Sequence, residues 1–579
     1  MRSGLAWAAL VAVGWCGGAG AQVIYPLDRA EILAGSRFDM KVEFPGVTDP
    51  ARVRVQVNGQ DAVALLGKAA EFTEREDGQA QSSLTLRDVS IAAPGRYTAT
   101  ATDGDRTASV SWEVYAAPAP RRARNVILFI GDGMAVANVT AARILSAGMQ
   151  EGRYRSRLTM DNMPHTAIVG TSGTDSVVTD SANSASAYNT GHKSGVNALG
   201  VYASRARDTL AHPKVETLAS IVRRTLGMSV GIVTNTEIQD ATPAAVFSHT
   251  RRRSDYIPIT DQMLESGAEV IMGGGSASFL PRSTPGSRRA DERNMVDAFK
   301  QRGYVFADGS DAMLAAAADP ATRKLLGLYN LGNMDGALDR FYLKRGTVDR
   351  FPNQPDLTDQ VGSALKVLER NPAGFFLMVE SGLIDKFNHR LDWERAVYDT
   401  ILLDRAVKVA TEWAAGRGDT LIIVVPDHTH GIGIVGTVND QNPAAEMRDK
   451  VDVYAEARFP NYPPADARGY PPSVDVSRRL AVFYAGFPDY YEAYRPYLDG
   501  PNTPAVGAGP TGPYAANEKA KQPQSQLRQG NLPRAAEQAV HTADDAVLRA
   551  MGPGADRFHG FIDNTEVFRG MAEALGLGR

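Results

Sequence analysis

Cysteine is almost absent from this 579-residue chain, whose only cysteine is Cys16 near the N-terminus. A protein with so little cysteine cannot depend on a disulfide framework. The chain also lacks an excess of positive charge, because 62 Lys and Arg residues stand against 66 Asp and Glu residues and the net charge is −4. This balance of charges argues against a broad basic surface that binds nucleic acid, so no specific nucleic-acid partner is expected. Beyond the N-terminal segment, no apolar run is long enough to cross a bilayer, and no membrane span is predicted.

The first 21 residues are typical of a secretory signal peptide. Arg2 supplies a positive start, residues 5–15 are mostly apolar, and residues 19–21 form a cleavage site of small residues. An N-terminal membrane anchor is the alternative, but the apolar stretch is short for a membrane span. We therefore expect a periplasmic or secreted protein whose mature chain contains no cysteine.

Residues 22–116 have the pattern of a small β domain. Alternating valines run into Asn58-Gly59, a pair that tolerates the positive φ angles of a type I′ hairpin turn. A second alternating segment turns at Asp103-Gly104 and returns. Short strands at this spacing predict a β-sandwich, of the immunoglobulin-like kind.

The pattern changes after residues 117–124, a Pro- and Arg-rich stretch that we interpret as a linker. Continuous apolar runs, typical of buried parallel strands, occur at 126–130, 230–233, 375–379 and 421–425. Predicted helices precede the later runs, for example 358–370 and 396–413. Strands that alternate with helices predict an α/β catalytic domain with a mainly parallel sheet over residues 125–579.

Acidic residues follow three of these four apolar runs: Asp132, Glu380 and Asp427. In parallel sheets the active site gathers at the carboxyl ends of the strands. Asp385 and His389 lie four residues apart, and His428 directly follows Asp427. Imidazole with carboxylate suits zinc, whereas oxygen ligands alone suit magnesium. For each residue taken alone, the alternative is a structural role, because aspartate is a common turn former and a lone histidine usually stabilises the fold.

Ser181 is a candidate for a residue beside a bound anion. The small residues after Asp180-Ser181 favour a helix that starts there, and the N–H groups of its first turn would attract an anion. The alternative is that serine and aspartate merely cap this helix.

Six segments, taken together and in order, resemble alkaline phosphatases. They are Gly131-Asp132-Gly133-Met134, Thr179-Asp180-Ser181-Ala182, 239–245 with His249 and Arg253, Val379-Glu380 with Ile384-Asp385-Lys386 and His389, Asp427-His428-Thr429-His430, and His541-Thr542-Ala543-Asp544-Asp545. The resemblance covers roughly residues 124–579, except most of 431–540. That stretch is rich in Pro, Gly and Tyr, and we interpret it as an insertion at the rim of the site, a lid or an oligomer surface.

The resemblance implies three metal sites. One zinc ion would be bound by Asp385, His389 and His541, the other by Asp132, Asp427 and His428, and one magnesium ion by Asp132, Thr242 and Glu380. The pair Asp240 and Lys386 is similar to one bacterial branch of the family and favours magnesium in the third site.

The implied activity is hydrolysis of phosphate monoesters to an alcohol and inorganic phosphate through a phosphoserine at Ser181. Two metal ions about 4 Å apart can hold the attacking and the leaving oxygen of such a displacement. Arg253 would grip two phosphate oxygens, since its planar fork matches them. Asp180 would orient Arg253, and His430 would support Asp385.

The amino-acid sequence alone leaves two other functions open. A phosphodiesterase or sulfatase relative could share the metal-binding core, although Thr242, Glu380 and Arg253 favour monoesters, which carry more negative charge than diesters. A non-catalytic surface-binding protein with a decayed catalytic domain is the third possibility. A homodimer is compatible with the sequence, and the partner of the β domain is open.

Overall fold

The computed structural model describes residues 21–458, 464–474, 478–509 and 512–579. Residues 1–20, which include most of the predicted signal peptide and Cys16, lie outside this range. The chain divides into two compact units: one comprises Arg37–Val114 and the chain up to Glu31, and the other Ile32–Ser36 and Tyr115–Arg579. Across the described residues, no helix is long and apolar enough to cross a membrane.

The first unit consists of two β-sheets. Its elements are β1 (Val23–Tyr25), β2 (Ala30–Leu33), β3 (Phe38–Glu43), β4 (Arg54–Val57), β5 (Gln60–Asp61), α1 (Ala62–Leu66), β6 (Ala70–Thr73), β7 (Ser83–Val89), β8 (Gly95–Thr102) and β9 (Thr107–Tyr115). One sheet has the order β1-β3-β7-β6 and the other β2-β9-β8-β4-β5. Phe38 and the buried Trp112 bring the sheets into contact, with ring centroids 6.1 Å apart. An immunoglobulin-like β-sandwich remains a prediction.

Both hairpins predicted from the sequence are present. Strands β4 and β5 pair antiparallel around Asn58 and Gly59, whose φ angles are 50° and 77°. Strands β8 and β9 pair along their whole length and turn through Gly104, with φ 91°. Positive φ at these turns explains the residues found there, because asparagine and glycine tolerate it best.

The second unit contains the remaining strands, which include those of the central sheet. They are β10 (Asn125–Gly131), β11 (Met149–Gln150), β12 (Arg153–Tyr154), β13 (His165–Gly170), β14 (Ser229–Glu237), β15 (Val270–Gly274), β16 (Val305–Ala307), β17 (Leu325–Leu328), β18 (Phe375–Ser381), β19 (Thr420–Val425), β20 (Thr429–His430), β21 (Ile432–Asn439), β22 (Val451–Val453), β23 (Arg478–Tyr484), β24 (Tyr490–Glu492), β25 (Ala505–Gly507), β26 (Tyr514–Ala516), β27 (Gln526–Arg528), β28 (His541–Thr542), β29 (Ala546–Met551) and β30 (Gly560–Asp563).

A ten-stranded sheet forms the centre of this unit, in the order β16-β17-β15-β14-β18-β10-β19-β29-β13-β30. Its strands run parallel except β29, which pairs antiparallel with β13 and β19. The predicted α/β architecture with a mainly parallel sheet is confirmed. The four predicted apolar strands correspond to β10, β14, β18 and β19.

Helices cover both faces of this sheet. They are α2 (Val136–Ala147), α3 (Ser181–Thr190), α4 (Leu218–Leu226), α5 (Ala241–Ala244), α6 (Tyr256–Ser266), α7 (Met295–Gln301), α8 (Ser310–Ala318), α9 (Leu357–Leu368), α10 (Leu383–His389), α11 (Trp393–Ala414) and α12 (Asn564–Ala574). Alternate residues of β10 enter different hydrophobic clusters: Ile127 and Phe129 join one, Leu128 and Ile130 the other. A strand buried on both faces needs a continuous apolar run, which is why β10 could be recognised from sequence.

The described part of residues 431–540 contains two longer strands, β21 and β23, besides several strands of three residues and single helical turns. Strands β22-β21-β23 form a three-stranded sheet, and β24–β27 and β25–β26 form two-stranded pairs. Just before this region ends, the Ala539 carbonyl accepts a hydrogen bond from the His389 ring. The segment therefore returns to the carboxyl edge of the central sheet, where the predicted site residues lie.

Candidate active site

Three neighbouring strands of the central sheet bring three acidic residues to one edge. Ile130 of β10 is the register partner of Glu380 in the neighbouring strand β18 and of Val425 in the neighbouring strand β19. Asp132 follows β10 directly and Asp427 follows β19 after Pro426, so their carboxylates and that of Glu380 share the carboxyl edge. All three residues are at most 2% exposed. Buried carboxylates this close to one another need compensating positive charge.

Ser181 is the first residue of α3 and lies at the same edge. Its Oγ is 3.4 Å from Asp132 Oδ1 and 3.2 Å from His428 Nε2. Asp180 is the residue that caps the helix, because its carboxylate accepts from the Asn183 N–H and the Asn183 side chain accepts from the Asp180 N–H. The capping role therefore belongs to Asp180, and the Ser181 hydroxyl is directed at the acidic cluster instead.

Asp385 is the centre of the first group that could hold a metal ion, together with His389, His430 and His541. His389 Nδ1 lies 2.6 Å from the Ala539 carbonyl and His541 Nδ1 2.9 Å from the Thr179 carbonyl. These contacts fix Nδ1 as the donor nitrogen in each ring, which leaves the Nε2 lone pairs to face each other at 3.0 Å. Asp385 Oδ1 is 3.2 and 3.4 Å from these two nitrogens. A cation between the three atoms fits this arrangement.

The pKa of His389 agrees with this interpretation, whereas the pKa of His541 shifts in the opposite direction. Burial lowers the pKa of His389 to about 3, so the ring is neutral and can donate a lone pair. Burial also lowers the pKa of His541, but the hydrogen bond and the charge of Asp385 outweigh it and the pKa is raised overall. His430 Nε2 lies 2.6 Å from Asp385 Oδ1, which orients the carboxylate. This contact is compatible with the role predicted for His430, that of holding a metal ligand in place from behind, which stays a prediction.

A second group that could hold a metal ion consists of Asp132, Asp385 and His428. His428 Nε2 is 3.1 Å from Asp132 Oδ1 and 3.7 Å from Asp427 Oδ2. Asp427 Oδ1 accepts the N–H groups of Gly133 and His428, whereas its Oδ2 is buried and has no hydrogen-bond partner among the described residues. Such a free, buried carboxylate oxygen beside an imidazole is suited to a cation.

The carboxylates of Asp132 and Asp427 have raised pKa values because they are buried close to other carboxylates. Burial raises the pKa of Asp132 well above its usual value, and the charges of Asp427 and Asp385 raise it further. Burial and the charge of Asp385 raise the pKa of Asp427 to about 6. Positive charge in the cluster would reverse both shifts, which is what bound divalent ions provide.

Of the residues predicted for a third metal site, Asp132 belongs to the second group, whereas Thr242 and Glu380 belong to neither. Burial raises the pKa of Glu380 to about 7, and its Oε2 accepts hydrogen bonds from Thr234 and, at 3.0 Å, from Thr236. The Thr242 hydroxyl is buried and has no partner within the described part of the chain. All donors here are oxygens, which agrees with magnesium.

A series of ion pairs links Asp180, the residue before Ser181, to Asp385. Arg253 donates from Nη1 to Asp180 at 3.3 Å and from Nη2 to Asp240 at 2.9 Å. Lys386 Nζ lies 3.1 Å from Asp240 Oδ2 and 3.6 Å from Asp385 Oδ2. Although burial opposes it, these two cations hold the pKa of Asp240 far below its usual value. Two fixed positive charges therefore stand next to the metal-binding groups.

Sequence reasoning missed several residues that shape the site. Thr234 and Thr236 bind Glu380, and the Tyr256 hydroxyl lies 3.4 Å from Asp240. Gly133 has φ 62°, and a Cβ there would lie 2.8 Å from the His430 ring and 3.0 Å from Asp385. No local signal identifies these roles, because their partners lie far away in sequence.

Comparisons with known proteins agree with this geometry. A family described as "Alkaline phosphatase" matches residues 123–577. The tissue-nonspecific alkaline phosphatase of Gallus gallus is 34% identical over 371 residues, 57% of this chain and 69% of that protein. The alkaline phosphatase of Escherichia coli (strain K12) is 32% identical over 60% of this chain and 77% of its own. The crystal structure of Thermus thermophilus alkaline phosphatase superposes with a TM-score of 0.55 at 25% identity, over 79% of this chain and 92% of that one.

Proposed function

Because the chain belongs to the alkaline phosphatase family and is a phosphomonoester hydrolase, we propose that it acts through a phosphoserine at Ser181 with two zinc ions and one magnesium ion. The single observation that carries the proposal is the position of the Ser181 hydroxyl, within 3.4 Å of both Asp132 and His428. A nucleophilic serine needs activation at neutral pH, and a metal ion held by Asp132 and His428 beside its oxygen would supply it.

The residues would divide among the metals as follows: Asp385, His389 and His541 for one zinc ion, Asp132, Asp427 and His428 for the other, and Asp132, Thr242 and Glu380 for magnesium. This division is supported by the lone pairs that face each other at 3.0 Å and by the free oxygen of Asp427. Metal ions bound there supply positive charge to the attacking and leaving oxygens of the displacement.

The proposed reaction has two steps. The Ser181 oxygen forms a bond to phosphorus while the bond from phosphorus to the ester oxygen breaks and the alcohol leaves. Water then cleaves the phosphoserine ester and releases inorganic phosphate. Helix α3 contributes its N-terminus, whose positive end favours the phosphate next to Ser181.

Arg253 is the proposed phosphate-binding residue. Asp180 and Asp240 hold both of its terminal nitrogens, so the guanidinium plane is positioned before substrate arrives. Lys386 adds a second positive charge through Asp240. Because a monoester carries more negative charge than a diester, these cations support monoesterase activity over the phosphodiesterase alternative. The convergence of the ligand candidates likewise favours catalysis over a non-catalytic surface-binding protein.

The test is steady-state hydrolysis of 4-nitrophenyl phosphate and bis(4-nitrophenyl) phosphate by the full chain with zinc and magnesium. We expect preference for the monoester, loss of activity with a chelator, and loss of acid-stable phosphoserine in Ser181→Ala. Ser310→Ala is the matched control, because Ser310 also begins a helix but lies away from the site. A preference for the diester would contradict the roles given to Arg253 and the Thr242–Glu380 site.

The rest of the chain is proposed to serve an exported enzyme. Residues 22–116 would be an immunoglobulin-like domain, 117–124 a linker, and 125–579 the catalytic domain with 431–540 at the rim of its site. Export to the periplasm or the medium is supported by the N-terminal sequence, and a homodimer is compatible with the family.

A further inference from the structure

A buried asparagine, Asn388, joins the helix of the first group that could hold a metal ion to a loop of the second group. Asn388 is the residue before His389 in α10, and the same helix carries Asp385. Any group that is fixed to Asn388 is therefore fixed relative to two ligand candidates. The loop in question begins at Asp132, which directly follows β10.

All hydrogen-bonding positions of the Asn388 amide are occupied. Its Nδ2 donates to the Gly133 carbonyl at 3.2 Å and to Asn138 Oδ1 at 3.3 Å. Its Oδ1 accepts from Asn138 Nδ2 at 3.3 Å and from the Tyr484 hydroxyl at 3.1 Å. An asparagine side chain has two donor and two acceptor positions, so no further bond is available to this amide. Three separate segments of the chain therefore fix its orientation.

Gly133 is the residue after Asp132, and different parts of the site hold its N–H and its carbonyl. The N–H donates to Asp427 Oδ1 at 3.2 Å, and the carbonyl accepts from Asn388. No other described residue donates to this carbonyl. The position of Asp132 therefore depends on one bond to the segment of Asp427 and on one bond to the helix of Asp385.

Helix α10 has supports of its own at its other end. The Asn235 side chain accepts from the N–H groups of Gly382 and Leu383, at 2.9 and 3.3 Å, where the helix begins. Asn235 also donates to Asp399 at 3.1 Å, which keeps its amide in place. Loss of the Asn388 amide should therefore displace the loop after β10 rather than the helix.

We propose that Asn388 is a positioning residue that sets the distance between the two zinc ions. Its amide holds the loop of Asp132 against the helix of Asp385 and His389, so these ligand candidates are arranged before a metal ion binds. The inference rests on the proposed function, because it requires zinc in both groups. Replacing a residue that orients metal ligands typically lowers metal affinity or activity about 10- to 100-fold.

Zinc affinity and the electron paramagnetic resonance spectrum of the cobalt(II)-substituted full chain test the proposal in Asn388→Ala. We expect zinc to bind about 10- to 100-fold more weakly in competition with a chelator. The cobalt spectrum should change as well, because the magnetic coupling between two cobalt ions depends on the distance between them.

The matched control is Asn125→Ala, since Asn125 is also a buried asparagine that joins strands of the central sheet. It accepts from the Phe375 N–H of β18 and donates to Thr420 of β19, at the amino ends of these strands and thus opposite the site. Its loss should lower the melting temperature, because buried polar groups lose their partners, but should change neither metal readout.

Two results would overturn the proposal: Asn388→Ala binds two zinc ions as tightly as the wild-type chain, or Asn125→Ala alters the cobalt spectrum equally. Both differ from a failure of the proposed function, in which the wild-type chain itself binds fewer than two zinc ions and the inference falls with it. Thermal unfolding shows whether each variant is folded.

If Asn388→Ala does not fold, Tyr484→Phe replaces it, because this change removes only one hydrogen bond to the amide. Zinc should then bind about fivefold more weakly, as expected for the loss of one hydrogen bond. The control Tyr304→Phe removes another buried hydroxyl, which donates to the Ala268 carbonyl, and should leave zinc affinity unchanged. Equal zinc affinity in the two tyrosine variants contradicts the proposal.

Discussion

Replacing Arg253 by alanine tests the phosphate-binding part of the active site. Its two terminal nitrogens lie 3.3 and 2.9 Å from Asp180 and Asp240, and the side chain is 20% exposed, so the fork is already oriented. Two charge-assisted hydrogen bonds to phosphate, each about 1.5–3 kcal/mol, would be lost. At about 1.4 kcal/mol per factor of ten, kcat/KM for 4-nitrophenyl phosphate should fall about 10²- to 10⁴-fold.

The assay is steady-state hydrolysis of the monoester and of bis(4-nitrophenyl) phosphate by Arg253→Ala and by the control Arg252→Ala. Arg252 is the adjacent residue with the same charge, and it is exposed. The diester carries less charge, so its kcat/KM should fall only about tenfold in Arg253→Ala. The reasoning is refuted if Arg252→Ala loses as much monoesterase activity, or if both substrates lose equally in Arg253→Ala.

Further predictions concern the metal sites. His430→Asn removes the hydrogen bond to Asp385 and should weaken zinc binding about 10- to 100-fold in competition with a chelator. Thr242→Val should abolish activation by magnesium without lowering the melting temperature, because the Thr242 hydroxyl has no hydrogen-bond partner in the described structure. The pKa of Asp427 is raised from 3.8 to about 6 in the folded metal-free protein. Because the unfolded chain ionises this carboxyl at lower pH than the folded chain does, the free energy of unfolding falls as pH rises through that interval. The difference in melting temperature between zinc-loaded and chelator-treated protein should therefore grow between about pH 4 and pH 6; a constant difference over that interval would contradict this.

The central sheet could be predicted because its strands are buried on both faces and carry continuous apolar runs. The predicted strand 126–130 corresponds to β10 (Asn125–Gly131), and 375–379 to β18 (Phe375–Ser381). Strand β14 was predicted over 230–233 but extends to Glu237. Its polar end looks like a loop in sequence, yet it is buried because Thr234 and Thr236 bind Glu380.

Other parts of the site could not be predicted, since they depend on residues far apart in the chain. The assignment of separate ligands to the first two sites stays a prediction, and in the structure Asp385 lies in both groups that could hold a metal ion. The ring orientations of His389 and His541 follow from two backbone carbonyls, at Ala539 and Thr179. Backbone carbonyls carry no side-chain signature, so motif spacing identifies the ligand candidates but not the groups that orient them.

The order of the ligand candidates along the chain has a consequence for biosynthesis. The Asp385 group is completed by His541, and His389 is oriented by Ala539, close to the C-terminal end of the 579 residues. A nascent chain still missing these residues cannot form this group, so this group can bind metal only after residue 541 has been synthesised. If the chain is exported as proposed, the free metal of the compartment in which it folds sets the occupancy of this group, and the cytosolic metal pool does not.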